Sequence, residues 1–342
     1  MIIKKFHDHL VSSDDIIKKA IIKLQKLKIK ICLVVDRNKK YIGTLTDGDI
    51  RRGLLANLTI QDKIKDVCNK KSVFTKKKLK EGKIKKILAL KKISFFPIIN
   101  KSKKVIGVYH FIDDNNLEII KNEMLIMAGG KGTRLRPFTK KTPKPLLPIN
   151  GVPIIERIIT IAKKQGIKNF VISINYLGEK IKSYLKDGKK LGVNIRYISE
   201  DKPLGTAGSL YYFKDSKLPF IVANADVISN INYREMLKYH RKLNSYITVG
   251  AINNFEKNLY GNIIFNKNRV KRIEEKVETK LFINSGIYVV NPNIDKFFKS
   301  KKFFHMTEFI ELAISEKKKV HIFPIHENWD DYGIKEKYIS KR

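Results

Sequence analysis

From Glu123 onward, short apolar runs alternate along the chain with amphipathic stretches that have helical spacing. The runs expected to be strands are Met124 to Met127, Phe170 to Ile174, Ile195 to Ser199 and Phe220 to Ala223. Between the first two runs, residues 152–165 place one set of apolar side chains on a single helical face: Ile154, Ile155, Ile158, Ile159 and Ala162. Such a face packs against a sheet. The alternation therefore predicts a mostly parallel α/β sheet.

The first third of the chain contains an internal repeat, in which residues 32–43 (CLVVDRNKKYIG) align with residues 96–107 (FPIINKSKKVIG). Each copy has the pattern of a strand, a polar turn and a second strand. A stretch with helical spacing precedes each copy, from Asp14 to Leu27 and from Leu79 to Lys91. A polar cluster at residues 113–116 then breaks the pattern, so we expect a domain boundary near residue 120.

The repeat resembles a pair of CBS domains, a tandem module that binds adenine nucleotides in a cleft between its halves. The resemblance implies that Thr46 and Asp49 of the first copy hold the ribose and phosphates of the nucleotide. In the second copy Asp113 matches, but His110 stands where the family has threonine. A structural or dimerising module without a ligand is the alternative.

Composition limits the classes of protein to consider. A chain of 342 residues with 43% hydrophobic and 30% charged residues is typical of a soluble protein of about two domains. It has no apolar run of about 18 residues and no secretory signal at its start, so we expect a cytoplasmic protein without membrane contact. Cys32 and Cys68 have no metal-like spacing. The net charge of +38 comes from lysines spread over nearly every segment, which argues against a nucleic-acid interface.

A glycine-rich loop, residues 128–137 (AGGKGTRLRP), follows the first predicted strand directly. Gly129, Gly130 and Gly132 allow backbone N–H groups to approach a polyphosphate closely. The loop is neither a Walker A motif nor a dinucleotide fingerprint, and alone it is equally consistent with a tight turn. Downstream, Lys144 stands between two prolines that stiffen the backbone around it.

Together, Gly-Gly-x-Gly-Thr-Arg and Pro-Lys-Pro-Leu closely resemble the signature of the sugar-phosphate nucleotidyltransferases. The resemblance implies a Rossmann-like catalytic domain over residues 122–342, with a mixed, mostly parallel sheet, preceded by a tandem CBS module of α+β type over residues 1–118. It implies that Arg134 and Lys144 contact and neutralise the phosphates. The residues implied to bind the nucleotide are Gly129, Gly130, Gly132, Thr133, Glu200, Gly205, Thr206 and Asn224.

Two aspartates are candidate metal ligands. Asp226 follows the apolar run 220–225 at the carboxyl end of a predicted strand, where ligands bind open α/β sheets, and residues 328–333 supply a second acidic site. Magnesium on a nucleotide takes one or two protein carboxylates. The resemblance assigns Asp226 and Asp331 to Mg²⁺. The alternatives are that Asp226 caps a following helix and that Asp330 replaces Asp331.

The segment 200–208 (EDKPLGTAG) has small residues on which a flat base or sugar can lie, and the Glu200 carboxylate suits the donors of guanine. The stretch resembles guanylyltransferases of the family, which favours GTP. The same resemblance assigns sugar contacts to Tyr260, Gly261, Glu275 and Asn284, and the sugar phosphate to Lys276. Val277 replaces the family's proline here, and a solvated charged face is the alternative.

The predicted activity is the magnesium-dependent transfer of a nucleotidyl group, GMP from GTP, to a sugar-1-phosphate, which releases pyrophosphate and forms an NDP-sugar. A CBS pair beside such a domain resembles guanylyltransferases that activate glucosamine-1-phosphate or a related sugar for nine-carbon acidic-sugar glycans. A mannose-1-phosphate guanylyltransferase, or another NDP-sugar pyrophosphorylase, is the alternative within the class. A nucleotide-sensing regulator with an inactive catalytic domain is the alternative outside it. We expect a homodimer, with an adenine nucleotide at the CBS module.

Overall fold

The computed structural model describes residues 2–3, 6–27, 29–91, 93, 95–110, 119–257, 260–275 and 278–342, without the side chains of 2–3, 255–257 and 278–280. The chain forms two compact units, Met1–Asn116 and Leu117–Arg342. No helix in the described ranges is long and apolar enough to cross a membrane.

In its described residues, the amino-terminal unit has two small sheets, with the strand orders β2-β3-β4 and β1-β6-β5. Its strands are β1 (Ile2–Ile3), β2 (Leu10–Ser12), β3 (Ile31–Val35), β4 (Tyr41–Thr46), β5 (Phe95–Ile99) and β6 (Val105–His110). Its helices are α1 (Ile17–Lys26), α2 (Asp47–Leu55), α3 (Ile64–Val67) and α4 (Glu81–Lys91). The antiparallel hairpins β3-β4 and β5-β6 are the two copies of the predicted repeat.

The turns of the two hairpins meet. The N–H of Tyr41 donates to the carbonyl of Lys103 at 2.8 Å, and Lys40 pairs with Lys104 in an isolated antiparallel bridge. The two repeats are therefore joined at the tips of their hairpins, where the turn between β3 and β4 meets the turn between β5 and β6.

The carboxy-terminal unit is built on a seven-stranded sheet, counted over the described residues, with the order β11-β10-β7-β12-β17-β14-β18. The strands of the unit are β7 (Met124–Met127), β8 (Pro148–Ile149), β9 (Val152–Pro153), β10 (Asn169–Ile174), β11 (Asn194–Ser199), β12 (Phe220–Asn224), β13 (Val227–Ser229), β14 (Ile247–Lys257), β15 (Asn262–Asn266), β16 (Arg269–Glu274), β17 (Glu278–Val290), β18 (Val320–Ile325) and β19 (Trp329–Asp331). The helices are α5 (Ile154–Lys164), α6 (Gly178–Leu185), α7 (Tyr233–Lys242), α8 (Met306–Ser315) and α9 (Lys335–Ile339).

Four of the sheet strands, β11, β10, β7 and β12, run parallel, and β17 runs antiparallel to both of its neighbours. The sheet is therefore mixed, as predicted. Because the helices α5 and α6 connect parallel strands, the carboxyl ends of β7, β10 and β12 lie at one edge. The loops that follow these ends form the candidate site.

Strand alternation divides the core into two layers. On β7, Met124 and Ile126 pack with the buried faces of α5, α6 and α7, whereas Leu125 points to the opposite face and packs with α8. The predicted helix is present as α5, and its five apolar residues are all buried. Pro153 stands at its N-cap, a position that tolerates proline since no helical N–H is lost there.

Candidate active site

A cavity of about 340 Å³ opens at the carboxyl ends of β7 and β12. It is lined by five separate stretches of chain: Met127–Gly130 with Gly132, Lys144 with Pro145, Glu200 with residues 203–206, Asn224–Asp226, and Phe303 with His305. Most of the nucleotide-binding residues predicted from the sequence therefore line one cavity.

The glycine loop crosses this cavity immediately after β7. A Cβ atom on Gly129 would lie 3.2 Å from Oε2 of Glu200, and one on Gly130 would meet nothing within 4 Å. Gly132 has φ of +61° and would place a Cβ 3.1 Å from the Cβ of Lys144. The loop thus needs glycine at position 132 for its left-handed backbone, while Gly130 leaves open space for a ligand.

Lys144 begins a short 3₁₀ helix, Lys144–Leu146, with Pro143 at its N-cap. Its ammonium group is paired with Oδ2 of Asp226, and the two side chains are only 18% and 22% exposed. The fixed backbone and the carboxylate partner together hold this cation at the edge of the cavity.

Asp226, Asp331 and Lys144 converge on one point. If Gly333 carried a Cβ, that atom would lie 2.7 Å from Nζ of Lys144, 2.8 Å from Oδ1 of Asp331 and 3.0 Å from Oδ2 of Asp226. The absence of a side chain at Gly333 therefore leaves the space between the three charged groups free. Two carboxylate oxygens facing one small space are a donor set that suits a divalent cation such as magnesium.

Strand pairing explains how residues so distant in sequence meet. Asp226 lies between β12 and the short strand β13, which pairs antiparallel with β19 so that Val227 stands opposite Asp331. The N–H of Tyr332 donates to the carbonyl of Asp226 at 2.9 Å, and the N–H of Gly333 donates to Oδ1 of Asp331 at 2.7 Å.

The structure places both aspartates relative to the alternatives raised for them. Asp226 precedes a strand, β13, so it does not cap a helix. Asp330 pairs with Lys337 at 3.1 Å, whereas its neighbour Asp331 faces Gly333. Adjacent residues of a strand point to opposite sides, which is why only one of the two reaches the cluster.

Glu200 follows β11 and lines the cavity beside the glycine loop. Its Oε1 accepts from the hydroxyl of Ser173 at 2.5 Å, and its Oε2 accepts from the N–H of Leu204 at 3.0 Å. Burial raises the pKa of Glu200 above its ordinary value, and these two hydrogen bonds act in the opposite direction. The carboxylate is thus held by two hydrogen bonds at the wall of the cavity.

Gly205 and Thr206 also line the cavity, and both are shaped by the segment before α8. Gly205 has φ of +74°, and a Cβ there would lie 2.6 Å from the carbonyl oxygen of Phe304. The hydroxyl oxygen of Thr206 accepts from the N–H of Met306 at 2.9 Å. Both residues therefore have a structural role in joining this loop to residues 304–306, beside their place in the cavity wall.

Two residues of the wall, Phe303 and His305, come from a segment that the sequence analysis did not single out. Their rings meet edge to face with centroids 4.7 Å apart, and Phe303 is 56% exposed. The backbone between them is fixed to the opposite loop, because the N–H of Phe304 donates to the carbonyl of Leu204 at 3.0 Å. About one hundred residues separate the two segments, and no local pattern predicts their contact.

Arg134 and Thr133 begin the 3₁₀ helix Thr133–Leu135 that follows Gly132, and both are exposed. Among the described residues, neither belongs to the lining of the cavity. Arg134 thus lies on the glycine-rich loop, outside the cluster of Lys144, Asp226 and Asp331.

The predicted sugar residues lie outside the lining of the cavity, within or next to the strands β15, β16 and β17. Tyr260 and Gly261 precede β15, and Glu275 follows β16, with its Cγ 3.8 Å from where a Cβ on Gly261 would lie. Asn284 on β17 accepts from the N–H of Gly286 at 3.0 Å. Gly286 in turn packs against Asn224, which lines the cavity, because a Cβ on Gly286 would lie 2.5 Å from Nδ2 of Asn224. Lys276 lies outside the described residues.

In the amino-terminal unit, Thr46 and Asp49 form a capping box at the start of α2. Oδ2 of Asp49 accepts from the N–H and the hydroxyl of Thr46 at 2.8 and 2.6 Å, and Oδ1 is paired with Arg52. Asp49 is only 6% exposed. Asp113, the predicted counterpart in the second copy, lies outside the described residues.

Comparison with known proteins matches two families. Residues 123–341 match the family described as nucleotidyl transferase, and residues 8–56 match the CBS domain. The chain is 34% identical over 227 residues to a mannose-1-phosphate guanyltransferase of Yarrowia lipolytica and 35% identical over 228 residues to mannose-1-phosphate guanylyltransferase 1 of Arabidopsis thaliana. Each match covers 63% of this chain, and the chain spans 62% of the length of each relative.

Among solved structures, HddC from Yersinia pseudotuberculosis is similar, with a TM-score of 0.51 and 26% identity over 64% of this chain and 97% of that one. The same protein in complex with GMP-PN matches at 25% identity and the same TM-score. These likenesses agree with the mixed sheet of the carboxy-terminal unit.

Proposed function

We propose that this chain, which belongs to the nucleotidyl transferase family, transfers a nucleotidyl group from a nucleoside triphosphate to a sugar-1-phosphate and releases pyrophosphate. The observation that carries the proposal is the convergence of Lys144, Asp226 and Asp331 beside a cavity crossed by a glycine loop. Anion-binding backbone, a fixed cation and a pair of carboxylates are what phosphoryl chemistry needs.

In this reaction an oxygen of the sugar-1-phosphate attacks the α-phosphorus in line. A phosphorus–oxygen bond forms, the bond to the β-phosphate breaks, and pyrophosphate leaves with its electron pair. The attacking phosphate has a second pKa of about 6, so it is largely ionised at neutral pH and needs no general base. The chain's own contribution is therefore alignment and charge neutralisation.

Each group has a proposed role in that arrangement. The glycines of the loop receive the phosphates on the backbone, and Lys144 and Arg134 offset their charge. Lys276 is assigned to the sugar phosphate, and Tyr260, Gly261, Glu275 and Asn284 to the sugar. Asp226 and Asp331 would hold a divalent cation, which we take to be Mg²⁺; when bound, it supplies positive charge against the triphosphate.

We assign GTP as the nucleotide. Glu200 lines the cavity as an oriented acceptor, and a carboxylate accepts from both N1–H and the exocyclic amine of guanine. The relatives named above are mannose-1-phosphate guanylyltransferases, which supports GTP and makes mannose-1-phosphate the first sugar to test. Glucosamine-1-phosphate or a related sugar for nine-carbon acidic-sugar glycans is the second.

The test is pyrophosphate release over a panel of GTP, ATP, UTP and dTTP with mannose-, glucosamine- and glucose-1-phosphate. Asp226→Asn is expected to lower turnover at least about a hundredfold, because it removes one of two carboxylates from the cluster. Asp330→Asn is the matched control, since its side chain pairs with Lys337 outside the cluster. Release that is equal in both variants, or absent with every pair of substrates, would contradict the proposal.

We also propose that the protein acts as a cytoplasmic homodimer and that its amino-terminal unit binds an adenine nucleotide. The match to the CBS domain supports the nucleotide. Light scattering of the purified chain tests the dimer: the mass expected for a dimer is twice the 39.6 kDa of one chain, and a mass of one chain at micromolar concentration contradicts it.

A further inference from the structure

A serine hydroxyl is buried inside the sheet of the carboxy-terminal unit, next to the cavity. Ser173 is the next-to-last residue of β10, and it is fully buried in a run, residues 170–174, that is otherwise apolar. A buried hydroxyl needs a hydrogen-bond partner, because leaving it unpaired costs free energy. The partner is Oε1 of Glu200, at 2.5 Å. The hydroxyl of Ser173 is therefore committed to the carboxylate that we assign to the nucleotide base.

Ser173 also contacts the glycine-rich loop. The strand β10 lies between β11 and β7, and Ser173 stands opposite Ile198 and Met127 of these two strands. Its carbonyl accepts from the N–H of Ala128, the first residue of the glycine-rich loop, at 2.8 Å. Its side chain bonds to Glu200, which follows β11. One residue of β10 thus connects the loop that crosses the cavity to the carboxylate in the cavity wall.

The hydrogen bonds to Glu200 leave a defined set of acceptor positions. An ionised carboxylate has about four lone-pair positions, shared equally between its oxygens. Within the described residues, Ser173 uses one position on Oε1, and the N–H of Leu204 uses one on Oε2. One position therefore remains on each oxygen, which is the arrangement that accepts two parallel donors. The N1–H and the exocyclic amine of guanine are such a pair, whereas hypoxanthine has the N1–H alone.

The same two hydrogen bonds favour the ionised form of the carboxylate. Burial raises the pKa of Glu200 above its ordinary value, and the bonds from Ser173 and Leu204 act against that rise. A neutral carboxylic acid would carry a hydroxyl in place of one acceptor, and it could no longer accept both donors of guanine. Gly129 keeps the carboxylate accessible from the cavity, because a Cβ there would lie 3.2 Å from Oε2.

We propose that Ser173 is a positioning residue for base selection, whose hydroxyl orients Glu200 so that both carboxylate oxygens accept from the guanine edge of GTP. Ser173 does not touch the nucleotide and acts through Glu200. This role rests on the proposed function, in which Glu200 receives the base of GTP.

The experiment compares GTP with ITP, which differs from GTP only by the missing exocyclic amine. For the wild type and Ser173→Ala, kcat/KM is measured from pyrophosphate release with mannose-1-phosphate, and Kd from calorimetric titration. Ser245→Ala is the matched control, because Ser245 is also buried and its hydroxyl also bonds a titratable side chain, His321, at 2.9 Å. Ser245 does not belong to the described lining of the cavity.

We expect Ser173→Ala to lower the preference for GTP over ITP at least about fivefold, because it removes a hydrogen bond to a charged group. Ser245→Ala should keep the wild-type preference within about twofold. Ser173→Thr retains the hydroxyl on a residue that strands favour, so it should also keep the preference. Thermal unfolding verifies that each variant is folded. Equal losses of preference in Ser173→Thr and Ser173→Ala would assign the effect to packing and overturn the proposal.

A double-mutant cycle tests whether Ser173 acts through Glu200. Glu200→Gln removes the carboxylate and keeps the size of the side chain. If the hydroxyl acts only on that carboxylate, the double variant Ser173→Ala, Glu200→Gln should have the same preference as Glu200→Gln alone. A further fall in the double variant would show that Ser173 acts by another route, which contradicts the proposed role.

The pH profile is a readout that loosened packing alone would not move. Without the hydrogen bond from Ser173 the pKa of Glu200 rises further, so the acidic limb of kcat/KM for GTP should move to higher pH in Ser173→Ala. The other titratable side chains that line the two cavities bordered by Glu200 are the same in both proteins: Lys144, Asp226, His305, Glu179 and Lys180. An acidic limb at the same pH in both proteins would refute the role of Ser173.

These measurements separate the role of Ser173 from the proposed function. A wild type without preference for GTP over ITP would refute the assignment of the base to Glu200, and with it the role of Ser173. A wild type that binds GTP selectively but releases no pyrophosphate would refute the proposed transfer alone, because the ratio of Kd values still reports on Ser173. A wild-type preference that Ser173→Ala retains would refute the role of Ser173 alone.

Discussion

Replacing Gly333 by alanine tests the proposed catalytic cluster at its centre. The added methyl would lie 2.7 Å from Nζ of Lys144, 2.8 Å from Oδ1 of Asp331 and 3.0 Å from Oδ2 of Asp226. Ordinary contact begins near 3.4 Å, so each group has to move away by about half an ångström. The backbone itself tolerates alanine, since φ at Gly333 is not in the left-handed region.

The expected consequence is a loss of activity without a comparable loss of stability. The displaced atoms are the ends of side chains, so the fold accommodates the methyl by moving them, at a cost of about 1 kcal/mol. Metal sites require ligand positions accurate to about 0.2 Å, and displacing two ligands by more than that removes electrostatic stabilisation worth about 3–4 kcal/mol. Turnover should then fall at least about a hundredfold.

The assay measures pyrophosphate release against magnesium concentration, together with thermal unfolding. Gly333→Ala should show the loss in turnover and a higher magnesium requirement, with a melting temperature within a few degrees of the wild type. Gly82→Ala is the control, because a Cβ there meets nothing within 4 Å. If Gly333→Ala keeps turnover within about threefold of wild type at the same magnesium concentration, the three charged groups do not form the reaction centre.

Two further predictions concern other parts of the carboxy-terminal unit. Phe303→Ala should raise the KM for the nucleotide about tenfold with little change in kcat, because it removes an exposed aromatic side chain from the wall of the cavity. Phe303→Tyr, which keeps an aromatic ring, should have a KM close to that of the wild type. An unchanged KM in Phe303→Ala would exclude contact between Phe303 and the nucleotide. His240 is buried, with Nδ1 2.8 Å from the hydroxyl oxygen of Thr248, and burial, aided by Arg241 and His321, lowers its pKa to about 4 from 6.5. The folded state therefore favours neutral His240, so the contribution of His240 to stability is present above pH 6.5. It is lost as the pH falls toward 4, by at most about 1.4 kcal/mol per pH unit. Urea unfolding between pH 7 and 4.5 should show a smaller loss of stability in His240→Asn than in the wild type, and an identical dependence of unfolding free energy on pH in both proteins would contradict the prediction.

The sequence predicted those parts of the fold that depend on local periodicity. The strands around residues 124, 170, 195 and 220 and the helix α5 lie within two residues of their predicted ends. Each of these elements is buried on a face set by its own pattern of apolar residues, so the pattern alone identifies it. The repeat in the first third is present for the same reason.

The contacts between segments that are distant in sequence could not be predicted from the sequence. Asp330 and Asp331 are indistinguishable in sequence. The pairing of β19 with β13 places them on opposite sides of the strand, and the N–H of Gly333 holds Oδ1 of Asp331 at 2.7 Å. Phe303 and His305 join the cavity because residues 304–306 bond to the loop at 204–206. Such contacts follow from tertiary packing, which the spacing of residues within one segment does not predict.

Thr46 and Asp49 illustrate a different kind of ambiguity. A hydroxyl residue followed three positions later by an acid is both the family's nucleotide motif and the pattern of a helix cap. Here the hydrogen bonds of the cap use both residues. Sequence spacing cannot separate the two readings, since each is satisfied by the same atoms at the same separation.

The charge balance of the proposed catalytic cluster is the reason we expect a cation to accompany the nucleotide. Asp226 and Asp331 carry two negative charges against the single positive charge of Lys144, so the cluster is net negative although the chain is strongly basic. A triphosphate brought to this point meets repulsion that Lys144 alone does not offset, because its ammonium group is already paired with Asp226. Arg134 lies outside the lining of the cavity, so in the proposed mechanism we expect Asp226 and Asp331 to hold a divalent ion, which would supply further positive charge beside Lys144 and Arg134.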